Sequence, residues 1–547
     1  MNDKAMFTYQ TRLRLVPAES DLLDTFASLY GKAERTLFAA LQAGGAINGN
    51  INALKRECLV RFGITARQFN AMRIGLGGKI ASIKERRPEL IRECQRRINQ
   101  AKKIIRQLEE TAPGTRKLHE KKRRLGNLQY RCARMAADEK TGIVRLCFGS
   151  RRRFHAQFHL AANGYASHDD WLRDWQDARS NQFYVVGSMD ELAGCQECQA
   201  MPDGDGTLTL RLRLPHCLKQ HGTFLTIPGV RFAYGHDKII AALAASLRVS
   251  GQNKNGETIK KRIGVALSYR FVRDQTSWRL YVSFAHSSPG QVSRRSLGAI
   301  GVDINVGHLD LAELDRFGNL TGFERIPANV YGASKDQASA ILCDVALRIV
   351  DRACLAGKPV VIEELDFCRK KCTLESFSYK QSRMLSSFAY RKAISAIKAA
   401  AFRAGVQVIE VNPAYTSVIG ATSYACKYGV SPHMGAALSV ARRGMRLSER
   451  LPQRYAACVP VRNGGHVTLA LPDRNRAKHV WSAWAVVSKD LKAAHVAHYR
   501  SGDRKKKPVP LSPEQRTLCT NRSSPVRSRR ASQPNRSAGG MANVPFG

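Results

Sequence analysis

The stretch 301–319, GVDINVGHLDLAELDRFGN, decides how the chain folds. It begins inside an apolar run, LGAIGVDIN from residue 297, that reads as a strand. GHLDLAEL supplies a second strand, RFGN a turn, and LTGFERI a third strand. Short turns between consecutive strands make an antiparallel meander. Asp303 lies within the first strand.

The pattern then changes period. A helix is expected over about 333–355, followed by a buried strand in KPVVIEELDF (358–367). A long helix from about 380 to 404 ends at Gly405, and VQVIEVN (406–412) is another strand. The last helix lies in SPHMGAALSVARRGM (431–445), with Ser431 as N-cap and Pro432 at the first helical position, where its missing N–H costs nothing. Three meander strands, then helix, strand, helix, strand, helix is the order of an RNase H-like fold.

In that order the first and fourth strands are neighbours. Asp303 and Glu363, which ends the fourth strand, would then meet at one edge of the sheet. Burying charge is costly unless it is paired or metal-bound. The other reading of such an acid is a surface ion pair with a lysine. Chemistry that needs two such carboxylates is metal-assisted phosphodiester hydrolysis, in which carboxylates bridge two divalent ions. A third ligand is expected from the last helix, and the first side chain there able to hold a metal is His433. Imidazole suits Mn²⁺ and other transition ions better than Mg²⁺, and a neutral ring removes one negative charge from the site. A histidine near a helix start also serves as a capping or packing residue, so both readings stand. Asp473, in LALPDRNRAKHVW, is a substitute acid in an unrelated context.

The chain has 547 residues, with 88 Lys and Arg against 44 Asp and Glu, a net charge of +44. That length implies several domains, and that charge implies a polyanionic partner, nucleic acid first and an anionic membrane second. No apolar run approaches a membrane span, and the N-terminal MNDKAMFTYQTRLRLVP lacks a signal-peptide core. A soluble, cytoplasmic protein of a prokaryotic cell, nucleoid-associated when bound to DNA, is expected. Fourteen cysteines without a framework pattern fit a reducing compartment.

Upstream, FTYQTRLRLV (7–16) alternates as a strand, and a helical region runs to about residue 140. Leu90, Cys94, Ile98, Ala101, Ile105 and Leu108 form one apolar stripe, with Pro88 expected to end the preceding helix. Residues 79–124 hold 16 basic and 6 acidic side chains, among them Arg92, Arg96 and Arg106 mostly off that stripe. Phosphate contact is favoured over a merely solvated face. Residues 142–290 hold short β-branched and aromatic runs split by Gly, Asp and Asn, the signature of a barrel or sandwich. Within them GSRRRFHAQFH sets Arg151, Arg152 and Arg153 beside aromatics, a candidate nucleic-acid contact. Cys195 and Cys198, with His216, Cys217 and His221 nearby, read either as a zinc quartet or as core cysteines beside a hairpin; the missing second tight pair favours the core. The final segment, 500–547, has 11 basic and 2 acidic residues among Ser, Pro and Gly, and reads as a disordered tail.

GVDINVGHLDLAELDRFGN, VVIEELDF, VIEVNPAYTS and the helix ending AALSVARRGM together resemble the split RuvC nuclease domain of transposon-encoded TnpB proteins and type V CRISPR effectors. The resemblance covers about 297–445. It implies a multidomain α+β protein: a first wedge-domain strand in 1–20, a helical recognition domain in 21–140 and a β-barrel wedge domain in 141–295. The RuvC-like RNase H-fold domain follows in 296–446, with a C-terminal helical segment in 447–499 and the tail beyond. It also implies a guide RNA and target double-stranded DNA as partners, no membrane, and Mg²⁺, with Mn²⁺ as the alternative. Oligomeric state is left open. Asp303 and Glu363 match the family's first acids, with Glu364 next in register, and His433 stands where the third motif carries an aspartate. The family's zinc ribbon has no counterpart, since Cys426 is the only cysteine between Val411 and His433, so zinc is not expected; Cys368 and Cys372 have no evident partners. Arg442 and Arg443 would touch a DNA backbone or pair with acids of the sheet. The expected activity is RNA-guided DNA endonuclease; the alternatives are a guided binder acting by occupancy and a guide-independent resolvase.

Overall fold

In the computed structural model, residues 4–43, 51–245, 247–252, 258–287, 289–364, 390–447, 449–452, 456–461 and 465–500 are described. Cys368, Cys372, the first part of the helix expected from 380 and the basic tail after residue 500 lie outside them. The described residues divide into two compact units, one up to Pro289 and the other from Gly290 on.

The first unit opens with β1 (Lys4–Arg12) and four helices, α1 (Pro17–Gln42), α2 (Ile51–Phe62), α3 (Ala66–Thr111) and α4 (Arg116–Thr141). Two shorter helices follow, α5 (Arg151–Ala156) and α6 (His168–Arg179), then β2 (Gln182–Val185), β3 (Cys198–Pro202), β4 (Leu208–Arg213) and β5 (Phe224–Val230). It closes with α7 (His236–Ala244), β6 (Leu247–Gln252), β7 (Thr258–Ile263), β8 (Ser268–Arg273) and β9 (Trp278–Ser287). The β1 strand starts and stops earlier than the alternation suggested, because β9 pairs with it from Lys4 to Arg12 and Pro17 already opens a helix. Along β9, Trp278, Leu280, Val282 and Phe284 alternate inward.

The barrel expected over 141–295 is built differently among the described residues. A four-stranded sheet ordered β1-β9-β8-β2 and a three-stranded sheet ordered β3-β4-β5 stand as separate ladders, with a two-stranded ribbon of β6 and β7. The two larger sheets share one apolar core with α1 and the start of α3. Cys195 and Cys198 belong to that core and are fully buried, and burial pushes the Cys195 thiol up to about 11. His216, Cys217 and His221 are exposed.

Pro88 corrects an expectation: it lies inside α3 rather than at a helix end. An internal proline forfeits a backbone hydrogen bond and costs about 3 kcal/mol. Tertiary contacts on both sides offset that. The buried Arg87 guanidinium donates to the Asp138 and Ile143 carbonyls at 2.5 and 2.6 Å, and Cys94 and Ile98 pack on Leu128 and Cys132 of α4.

The second unit holds a five-stranded sheet. Its strands are β10 (Ala299–Asn305), β11 (Gly307–Leu314), β12 (Leu320–Ala328), β13 (Val360–Glu363) and β14 (Val408–Val411). The order is β12-β11-β10-β13-β14, with the first three antiparallel and β10, β13 and β14 parallel. This is the strand order of an RNase H-like fold. Gly307 and Gly318, at φ +88° and +81°, supply the left-handed turns that the meander needs. Asp315 closes the second turn by accepting from the Phe317 and Asn319 amides.

Helices cover both faces. α8 (Lys335–Ala356) and α9 (Tyr390–Ala404) pack on Ile300, Val302, Leu309, Leu311, Val360 and Ile362. After α10 (Thr416–Ile419), a π-helical turn (Gly420–Ala425) and α11 (Cys426–Tyr428), the chain reaches α12 (Pro432–Gly444) on the other face. α12 lies close against the sheet. A Cβ on Gly301 would come within 2.1 Å of the Ala437 carbonyl, and one on Gly435 within 2.4 Å of the Gly420 carbonyl. The small residues of GAALSVA are there because the backbones approach this closely. A hairpin that the sequence pattern did not reveal, β15 (Ala456–Pro460) with β16 (His466–Ala470), packs with α13 (Val480–Arg500) around Trp484. No helix of the described residues is long and apolar enough to cross a membrane.

Two predictions follow from this packing. Gly301→Ala lowers the urea midpoint of unfolding by the equivalent of about 2–3 kcal/mol, because an added methyl overpacks the helix–sheet contact. Gly77→Ala, whose Cβ would meet nothing within 4 Å, leaves the midpoint unchanged or raises it. In native protein at pH 8, iodoacetamide labels the exposed Cys217 and Cys343 while Cys195 and Cys198 stay unmodified until denaturant is added, as peptide mass spectrometry would show.

Candidate metal centre

The two faces of the sheet follow from the alternation of side chains along each strand. Ile300 and Val302 point to α8 and α9, so Gly301 and Asp303 point to α12. On β11, Leu309 and Leu311 share the first face, which leaves Asp310 with Ala312 and Leu314 on the second. On β13, Val361 packs with Val440 of α12, which puts Glu363 on the same side. Three carboxylates therefore converge on the α12 face.

Register places them level with one another. Asp303 pairs directly with Asp310, and Asp310 pairs directly with Arg325 on β12. Val302 is level with Ile362 in the parallel ladder, so Glu363 is level with Asp303. The result is a row across four strands: one guanidinium, then three carboxylates. Like charges directly opposite on neighbouring strands destabilise a sheet unless something compensates them. Asp303 and Asp310 are nevertheless both buried, Asp310 completely.

α12 brings the remaining donor. Ser431 caps it, accepting from the Met434 amide at 3.2 Å, and His433 follows in the first turn. His433 Nδ1 lies 3.3 Å from Asp303 Oδ2, to which Asn305 Nδ2 also donates at 2.8 Å. The ligand atoms of Asp303, Asp310 and His433 all lie within 4.8 Å of one another. The His433 side chain is 43 % exposed, so the group opens to solvent on that side. His308 stands beside it, with Nε2 3.1 Å from Asp310 Oδ2; partial burial holds its imidazole below the usual range despite the pull of Asp310. Burial and the negative charge of Asp303 push the Tyr390 phenol up.

The sequence-expected residues thus fall into groups. Asp303 and His433 come together. Glu363 is level with them but outside the close group, and its Oε1 accepts from the Thr416 hydroxyl at 2.5 Å. Glu364 is exposed, and Asp473 lies exposed in the loop before α13. The close third acid is Asp310, which sequence reasoning passed over. Asp303 and Asp310 are equidistant from the tight turn between β10 and β11, and that symmetry was the available signal.

Two carboxylates and an imidazole with mutually close ligand atoms fit a single divalent cation that accepts nitrogen as well as oxygen. Glu363, tied to Thr416, is a further carboxylate level with Asp303 on the next strand. Arg442 donates to the Gly318 carbonyl at 2.6 Å, and Arg443 pairs with Glu449 and the Asn412 carbonyl, so both guanidiniums are engaged within this unit. In the first unit Arg92, Arg96, Arg106, Arg151 and Arg152 are exposed, and Arg153 pairs with Asp174 at 3.2 Å.

No protein-family model matches the chain, and no curated protein matches it. Among solved structures it is similar to T. thermophilus RuvC in complex with a Holliday junction substrate, at 20% identity over 26% of this chain and 90% of that one, with a TM-score of 0.20. It is similar to a Cas12f1–sgRNA–target DNA complex at 8% identity over 80% of this chain and 99% of that one, with a TM-score of 0.29. A CRISPR-Cas12f ternary complex aligns at 11% identity over 80% and 98% of the two chains, with a TM-score of 0.19.

The charge row makes a stability prediction. Asp310→Asn removes one carboxylate from a repelling pair but leaves Arg325 without its counter-charge. Arg325 is partly exposed, so the net loss is modest, about 1–2 kcal/mol in chemical denaturation. Asp303→Asn, which relieves repulsion without stranding a cation, changes stability by less than about 0.5 kcal/mol or raises it.

Proposed function

We propose that this protein is an RNA-guided DNA-binding protein and a metal-dependent endonuclease with a RuvC-like site. The observation that carries the reading is the level placement of Asp303, Asp310 and Glu363 on one sheet face beneath His433, on an RNase H-like strand order. The +44 charge supports nucleic acid as the partner, and the motif resemblance over 297–445 supports a guide RNA and a target double-stranded DNA.

Asp303 and His433 would hold the cation, with Asp310 beside them. Bound there, it would supply an activated water and a counter-charge for a phosphodiester oxygen. Asn305 fixes the Asp303 carboxylate, and the N-cap of α12 fixes where His433 projects. Thr416 orients Glu363 at the same sheet edge. The exposed arginines of α3 and of the α5 region bind phosphates of the guide or target. The wedge and recognition domains of the resemblance correspond to the sheets and the helical part of the first unit.

A second reading, occupancy of the target with little cutting, draws on one observation. Arg325 neutralises Asp310, and by the motif resemblance His433 stands where an aspartate would, so the site carries less negative charge than free acids alone would.

The decisive assay purifies the full chain with its co-expressed flanking RNA and incubates the complex with a guide-matched plasmid in Mg²⁺ and in Mn²⁺. Cutting is expected, faster in Mn²⁺, and reduced at least about 100-fold by Asp303→Ala. Tight guide-dependent binding without cutting supports occupancy. Absence of copurifying RNA of defined length and of guide-dependent binding contradicts the guided reading.

A further inference from the structure

Arg325 is a cation built into the carboxylate row, and no nuclease role accounts for it. Its Nε donates to Asp310 Oδ1 at 2.7 Å and its Nη2 to Asp310 Oδ2 at 3.2 Å, so both oxygens of that carboxylate are engaged. The same Nη2 donates to Ser431 Oγ at 3.0 Å, and Ser431 is the N-cap two residues before His433. One side chain thus joins the acid opposite Asp303 to the helix start that projects His433. The Arg325 side chain is 43 % exposed while Asp310 is fully buried, so the guanidinium has solvent to turn into and the carboxylate does not.

We propose that Arg325 is the positioning residue that sets the affinity and selectivity of this site for divalent ions, by competing with the metal for Asp310. The proposal rests on the metal-dependent reading given above. A buried aspartate facing another aspartate requires a cation nearby, and the protein supplies one of its own. A guanidinium in bidentate contact occupies the oxygens a metal would use and repels a second positive charge at short range. With Arg325 seated, a cation meets Asp303 and the His433 imidazole, a set poor in oxygen that favours Mn²⁺ over Mg²⁺. With Arg325 removed, Asp310 Oδ1 is released as a third donor while His308 Nε2 stays 3.1 Å from Oδ2, and the added oxygen suits Mg²⁺ as well. The anchoring to Ser431 gives the competition a second consequence, because displacing the guanidinium also releases a contact that holds the start of α12.

The test is calorimetric titration of Mn²⁺ and of Mg²⁺ into the full chain stripped of metal and nucleic acid, alongside thermal melts with and without each ion. Wild type is compared with Arg325→Gln, Arg325→Lys and the double variant Arg325→Gln/Asp310→Asn. Arg325→Gln should bind both ions at least about tenfold tighter, with the larger gain for Mg²⁺. Its melting temperature should fall without metal and recover on adding it by more than wild type gains. The double variant should lose that gain. Arg325→Lys keeps the charge but not the bidentate fork, so it should bind both ions with an affinity between wild type and the glutamine variant; if the glutamine variant folds poorly, wild-type binding in Arg325→Lys overturns the inference in its place. Unchanged or weaker binding in Arg325→Gln, with wild-type binding intact and abolished by Asp303→Asn, would overturn this inference alone. Failure of wild type to bind either ion would overturn it together with the metal-dependent reading.

Discussion

Two aspartates face each other across an antiparallel ladder in a part of the sheet that solvent scarcely reaches, and much of the surrounding architecture answers that repulsion. Arg325 reaches Asp310 from the next strand, and Asn305 and His433 reach Asp303 from its own strand and from α12. Unpaired charges so placed would cost more than a single sheet contact returns. Placing them level therefore makes sense as preparation for a cation, with Arg325 and His433 partly compensating when the ion is absent.

The helix that delivers His433 can do so only because it lies close to the sheet. Gly301, Gly435 and Gly444 each stand where a Cβ would collide with backbone or with Val361, and alanines fill the rest of the contact. This close packing fixes where the first turn of α12 ends up. Ser431 then sits within reach of Arg325, and His433 within reach of Asp303. Packing of small residues beside the site thereby sets its geometry, and the acid row and the glycine face form one design.

What was legible in the sequence was the part written in local patterns. An acid within one apolar strand and an acid ending another pointed to Asp303 and Glu363, and a Ser-Pro start followed by small residues marked the helix of His433. The strand order could be read because each element had a clear period. What was not legible depended on register or on tertiary contacts. Asp310 looks like an ordinary strand acid until the turn at Val306 and Gly307 sets which residue opposes Asp303, and Arg325 needs one further ladder to find Asp310. Pro88 is tolerated inside α3 because of contacts with α4, among them Arg87 reaching its far end some fifty residues away in sequence and Cys94 and Ile98 packing on Leu128 and Cys132. The hairpin before α13 escaped because its two strands are five residues long and the apolar alternation is brief.

The measurement that tests the central claim most directly is an anomalous difference map from crystals of the full chain grown or soaked in Mn²⁺. A peak bound by Asp303 and His433, on the face of the sheet covered by α12, is the predicted result. No peak at that edge at saturating Mn²⁺, or a peak held elsewhere with Asp303 still bonded to Asn305 and His433 alone, would contradict the account.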